Sequence, residues 1–286
     1  MSINSIKSVW NTIFYFDIIS IDYWNDYLYL NLKNSNKIIK LDTEGKSYKY
    51  LDNNKFEMFS LKDISDNVII NNYLFSVDSK LSMCRIFCLK TNKPIAIFGF
   101  KNINNPIVID GFFCNNIYHI FTNDNNNIIK YEIVINDEKI VSLDNYGFIS
   151  LEGNIKSILV DKKYKKFYIA NEKDLIVYNT NGEYLKSIKS LEPYKLKMFK
   201  EYILYVDSVD DGNRINIINR YDQENVNTFF SKKKMNIVDF TIDSEDNLFL
   251  INDYYLISKM KMNYSAFFDE IMIPLALGSI FYYFSR

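Results

Sequence analysis

Aspartate recurs in this chain at the ends of short apolar runs. Repeated carboxylates can do two things: supply oxygen ligands to a hard cation, or accept backbone N–H groups in turns. Four runs, Ile19–Asp22, Ile107–Asp110, Ile158–Asp161 and Phe240–Asp243, close on Asp22, Asp110, Asp161 and Asp243. Aromatic and aliphatic runs close on a second set, Asn31, Asp78, Asn171, Asp207 and Asp253. From both sets, Asp22, Asp161, Asp243, Asn171, Asp207 and Asp253 are the candidate ligand-binding positions. The structural alternative is that these residues cap strands and turns, and recur because the unit they belong to recurs.

The remaining chemistry-bearing residues exclude more than they suggest. His119 is the single histidine and sits within an apolar run, which rules out His-rich zinc chemistry and disfavours paired-histidine catalysis. There is no Gly-x-Ser-x-Gly elbow, Gly-rich phosphate loop or Cys-x-x-Cys pair. Cys84, Cys88 and Cys114 are odd in number and irregular in spacing, which fits free thiols in a reducing compartment. Two polar loops, Asn123–Asn127 and Asp207–Asn213, offer oxygens, yet neither follows the twelve-residue calcium-loop pattern.

With 34 basic and 35 acidic residues, the chain has no electrostatic footprint for nucleic acid. The basic runs at Lys162–Lys166 and Lys232–Lys234 read as solvated turns. Residues 1–21 lack an uninterrupted apolar core, so the expected location is cytoplasmic. Residues 271–284 are apolar but interrupted by Pro274 and Gly278, and too short for the ~20 residues of a membrane span. They are expected to close the fold or dock a partner.

The elements that would position these residues repeat. Aromatic and aliphatic runs begin at 27, 73, 117, 167, 202 and 248, each followed by a further apolar run such as Ile38–Leu41 or Leu175–Tyr178. A turn then follows in two copies, Asp42-Thr43-Glu44-Gly45 and Asn179-Thr180-Asn181-Gly182, with glycine where a left-handed residue is needed. A more polar fourth run completes the unit. The run beginning each second part is apolar at successive positions, so both of its faces are buried. Six four-stranded antiparallel sheets stacked radially satisfy that requirement, which predicts an all-β, six-bladed β-propeller over residues 1–264 with an apolar tail at 265–286. Ring closure requires a fourth strand for the last blade, from Ser8–Phe14 or from the tail, and the more apolar tail is favoured.

The repeat resembles that of NHL-type six-bladed propellers: apolar strand, Asp, short turn, aromatic strand, third strand and Asp-x-x-Gly. Ser157–Ile188 matches it best, through Val160-Asp161, Phe167–Asn171, Leu175–Tyr178 and Asn179–Gly182. Blades two and five lack a clean first strand. A full propeller with no catalytic constellation implies a non-catalytic scaffold that binds a protein, peptide or glycan at the channel face through tyrosines, phenylalanines and asparagines, with no cofactor. The alternative, motivated by the recurrent strand-end aspartates, is a calcium-dependent lactonase or hydrolase with axial carboxylates such as Asp22, Asp161 and Asp243, as in the gluconolactonase-like and paraoxonase-like propellers that share the six-bladed form.

Overall fold

The computed structural model describes residues 7–261 apart from 14–16, 34, 36, 52–62, 100–102, 104, 152, 191, 210–211, 222–225, 232–234 and 254–255. These residues form 24 strands, β1 to β24 in chain order, arranged as six four-stranded antiparallel sheets. Five sheets are simple meanders of consecutive strands. Their innermost strands are β2 (Ile18–Trp24), β6 (Ile64–Ile70), β10 (Ile109–Cys114), β14 (Ser157–Asp161) and β18 (Pro193–Phe199). The sixth sheet begins with β22 (Ile237–Ile242). Each of these six strands packs against the next, and β22 packs against β2, so the sheets close into a ring.

Hydrophobic burial explains the arrangement. The described core divides into six clusters, each filled by residues from two neighbouring sheets. Successive residues of one strand therefore enter different clusters, as the uninterrupted apolar runs predict. Within β23 (Asn247–Asn252), Leu248 and Leu250 pack toward the fifth blade, whereas Phe249 and Ile251 pack toward the first. All six residues of β23 are buried. Both sides of the sheet are core, with no solvent face to carry alternating polar residues.

The predicted turn glycines adopt the expected geometry, Gly45 at φ +70° and Gly182 at φ +84°. Asp42 accepts the N–H groups of Glu44, Lys46 and Ser47, and Asn179 accepts those of Asn181 and Glu183.

Ring closure differs from expectation. The outer edge of β24 (Leu256–Lys261) is covered by β1 (Lys7–Ile13), running antiparallel from Lys7 opposite Lys261 to Ile13 opposite Leu256. The amino-terminal segment thus supplies the fourth strand that the tail was favoured to supply. Apolar content misled the comparison, because an outermost strand is the least buried of a blade and needs backbone pairing more than hydrophobicity. The tail, residues 262–286, lies outside the described residues.

Candidate functional site

Adjacent innermost strands have no ladder between them, so their free main-chain groups at the axis need other partners. Side chains provide these around the ring. Asp66 Oδ2 accepts the N–H of Ile109 at 3.2 Å, and Asp110 Oδ2 that of Val160 at 2.6 Å. Ser157 Oγ accepts the N–H of Leu196 at 3.0 Å, and Asp239 Oδ2 that of Ile21 at 3.0 Å. Tyr194 donates its hydroxyl to the carbonyl of Ile237 at 2.5 Å. The remaining junction is made by Ser20, which donates to Asn67 Oδ1 at 2.8 Å. All six junctions are thereby bridged. In β2, β6 and β22 the bridging residue, Ser20, Asp66 or Asp239, is the first paired residue after a register shift.

Two lysines cross this ring. Lys197 on β18 reaches Asp22 Oδ1 on β2 at 2.5 Å and the Ile21 carbonyl at 3.4 Å. Lys195, also on β18, lies 3.5 Å from Asp66 Oδ1 and 3.7 Å from Asp239 Oδ2. A register shift between Tyr194 and Lys197, with Lys195 at φ +49°, accompanies this placement. A left-handed conformation is unfavourable for a lysine and persists where the surroundings enforce it, often at functional sites.

Asp22, Asp66, Asn67, Asp110, Lys195 and Lys197 line one cavity of about 180 Å³ at the axis. Burial pushes Asp22 up to about 6 despite the opposing pull of Lys197, and pushes Asp110 up to about 7 despite two backbone N–H groups. Asp66 is also raised by burial, partly offset by the two lysines. Burial pulls both lysines downward, but the surrounding carboxylates more than compensate and hold them above their usual value. The lysines stay charged, while Asp22 and Asp110 titrate near neutrality.

Not every polar atom is satisfied. Asn67 Oδ1 accepts from Ser20 and from Asn31 Nδ2, and Asn67 Nδ2 is buried without a partner. Asp22 Oδ2 is likewise buried and unpartnered. A buried donor and a buried acceptor left open in one cavity wall mark a place where a polar guest would recover lost hydrogen bonds.

Of the six candidate positions, Asp22 alone lines this cavity. Asp161 is held by Arg220, with Nε to Oδ2 at 2.6 Å and Nη2 to Oδ1 at 2.5 Å, and also accepts the N–H of Tyr164. Asp207 accepts from Ser190, Arg214 and Asn216. Asp243 receives the N–H groups of Glu245 and Asn247 and the Asn247 amide. Asn171 caps a turn through the N–H groups of Lys173 and Asp174, and Asp253 accepts from Asn236. These five residues support strand ends, turns and blade contacts. Among the described residues, no three His, Cys, Asp or Glu side chains are grouped as a metal would require.

The structure places this chain among six-bladed β-propellers. A chain in the crystal structure of the nidogen/laminin complex superposes with a TM-score of 0.58 at 11% identity, over 75% of this chain and 80% of that one. No family model matches the sequence, and no curated protein matches it either. The likeness is one of fold.

Sequence reasoning missed Lys195, Lys197, Asp66 and Asp239 as site residues. For Lys195, Lys197 and Asp66 the signal lay in the two blades without a clean apolar first strand, whereas Asp239 lies in the regular first strand of blade six. Tyr194-Lys195-Leu196-Lys197-Met198 and Ile64-Ser65-Asp66-Asn67 are innermost strands whose regularity is broken by the groups that face the axis.

Proposed function

We propose that this propeller is a non-catalytic binding scaffold that takes a protein or peptide ligand at the mouth of its channel. The supporting observation is the axial cavity, where Asp22 Oδ2 and Asn67 Nδ2 are buried and open beside a ring of charges. Blades joined by hydrogen bonds at every inner junction make a rigid frame, and rigid frames lose little entropy on binding. Solved structures of like fold include one titled as a complex of two proteins, nidogen and laminin. The repeat chemistry of Asp161 to Gly182 supports an NHL-type lineage, and the same scaffold would suit a glycan through hydroxyl contacts to the same groups.

The test uses the full-length chain and a Lys195→Glu, Lys197→Glu variant as paired baits in extract from the source cells. The expected result is a partner held in fixed stoichiometry by the wild type and lost by the variant, with both baits folded by circular dichroism. A partner retained equally by both, or no partner for either, overturns the reading.

A further inference from the structure

We propose that the axial cavity receives the free amino terminus of a peptide, with the α-ammonium at Asp22 Oδ2 and the first carbonyl oxygen at Asn67 Nδ2. This deepens the scaffold reading and rests on it. Three independent features of the cavity carry it: its charge balance, its open hydrogen-bonding atoms and its size.

The charge balance asks for a cation. Three carboxylates, Asp22, Asp66 and Asp110, line the cavity with two ammonium groups, Lys195 and Lys197. Asp239 adds a fourth carboxylate against Lys195. Fully ionised, the group carries an excess of negative charge in a site largely removed from water. Burial pushes Asp22, Asp66 and Asp110 upward, with smaller contributions from the neighbouring carboxylates. A guest cation would relieve that excess.

The open atoms decide what kind of cation. A bare metal ion requires several oxygens at ~2.3–2.6 Å. Here Asp66 Oδ2, Asp110 Oδ2 and Asp239 Oδ2 already accept main-chain N–H groups, and Asp22 Oδ1 holds Lys197. Among the described residues no group of three His, Cys, Asp or Glu side chains could hold a metal, whereas Asp22 Oδ2 and Asn67 Nδ2, on two residues that line the cavity, lack partners. One open acceptor and one open donor match a guest presenting a donor cation beside an oxygen. A lysine or arginine tip offers the first without the second. An α-ammonium followed by its carbonyl offers both, on either side of one α-carbon.

The size agrees. At ~30 Å³ per water, 180 Å³ is room for about six waters. That suits a terminal aminoacyl group and falls below the ~300 Å³ at which drug-sized ligand pockets begin.

The experiment titrates the intact protein at pH 7 with triglycinamide, glycinamide, N-acetylglycinamide, methylammonium and glycine, read by calorimetry and by melting temperature. Triglycinamide and glycinamide are expected to bind, with the acetylated compound and methylammonium at least tenfold weaker. Asp22→Asn is expected to weaken glycinamide at least tenfold, and Asn67→Ala to reduce the preference for glycinamide over methylammonium. The second variant leaves the Asp22–Lys197 pair in place, so it remains informative if the first fails to fold.

Equal binding of the acetylated compound overturns the role of the ammonium. Equal binding of methylammonium overturns the role of the carbonyl, and tighter binding of glycine than of glycinamide assigns the cavity to free amino acids instead. If no probe binds while the lysine-dependent partner is still captured, this proposal fails and the scaffold reading stands. If the partner is absent but the probes bind, the scaffold reading fails and the cavity is a small-molecule site.

Discussion

Asp239 and Ile21 lie 218 residues apart in the chain, and the carboxylate of the first accepts the main-chain N–H of the second at 3.0 Å. This bond joins the innermost strand of the last blade to that of the first. At the rim the same two ends of the chain meet again, where β1 pairs with β24. The ring is thus closed at both its hub and its edge, and the phenylalanine of β23, Phe249, packs with Ile21 and Leu30 in the cluster between them.

Removing residues 1–13 should therefore uncover the β24 edge. An uncovered edge exposes unpaired N–H and C=O groups and invites intermolecular pairing. The expected outcome is a melting temperature lower by several degrees together with dimers or larger species in size-exclusion chromatography. A truncated protein that remains monomeric with an unchanged melt would show that β1 is dispensable for closure.

Acidification should stabilise the hub. Burial raises Asp110 to about 7 and Asp22 to about 6, against ~3.9 for an exposed aspartate. A group that binds its proton more tightly when folded costs stability once ionised, so this cost appears as pH rises from about 4 to about 7 and is absent below. Three units at ~1.4 kcal/mol each set a ceiling near ~4 kcal/mol, and solvent reaching the cavity lowers the expectation for Asp110 to about 2 kcal/mol. Asp110→Asn keeps an oxygen for the Val160 N–H while removing the charge. Its melting temperature should exceed the wild type's by on the order of 5 °C at pH 8, with the gap narrowing through pH 5 and closing near pH 4. A gap that is constant with pH would show Asp110 to be ionised without penalty.

The fold was legible because burial on both faces of a strand leaves a pattern that neither a two-layer sandwich nor a helix produces. Leu248 and Phe249 are neighbours in sequence that belong to different clusters, and stacking of each blade between two others lets both be core. The site was less legible, since strand-end aspartates are common to every blade whereas the cavity depends on where the blades differ. Asp161 and Asp22 occupy like positions in the sequence pattern, yet one faces Arg220 and the other Lys197. What separates them is the register shift in β18 and the reach of two lysines across the axis, which the sequence marks only as an irregular first strand.

Calcium should leave the protein's stability unchanged. The three carboxylates considered for axial coordination are separately engaged: Asp22 by Lys197, Asp161 by Arg220, Asp243 by Glu245 and Asn247 N–H groups. A ligand that binds the folded state raises its stability in proportion to the logarithm of concentration over Kd, so even weak specific binding shifts the melt. Differential scanning fluorimetry with millimolar calcium against a chelator should give superimposable curves. A shift of several degrees would instead indicate a coordination site and favour the lactonase-like reading.

The Arg220–Asp161 pair offers a last test, of whether a strand-end aspartate serves the frame and leaves the cavity alone. Both side chains are almost completely buried, Asp161 at 0% and Arg220 at 6% exposure, and the guanidinium spans both carboxylate oxygens while also donating to the Lys200 carbonyl. Removing one partner of a buried pair strands the other as an uncompensated charge, at a cost of roughly 3–5 kcal/mol. Replacing both by apolar residues of similar bulk removes that charge and is often close to neutral. Asp161→Leu alone should thus lower the melting temperature by on the order of 10 °C, and adding Arg220→Met should restore more than half of the loss. Glycinamide binding in the double variant should equal that of the wild type, because neither residue lines the axial cavity. Loss of binding despite a restored melt would place Asp161 in the binding machinery after all.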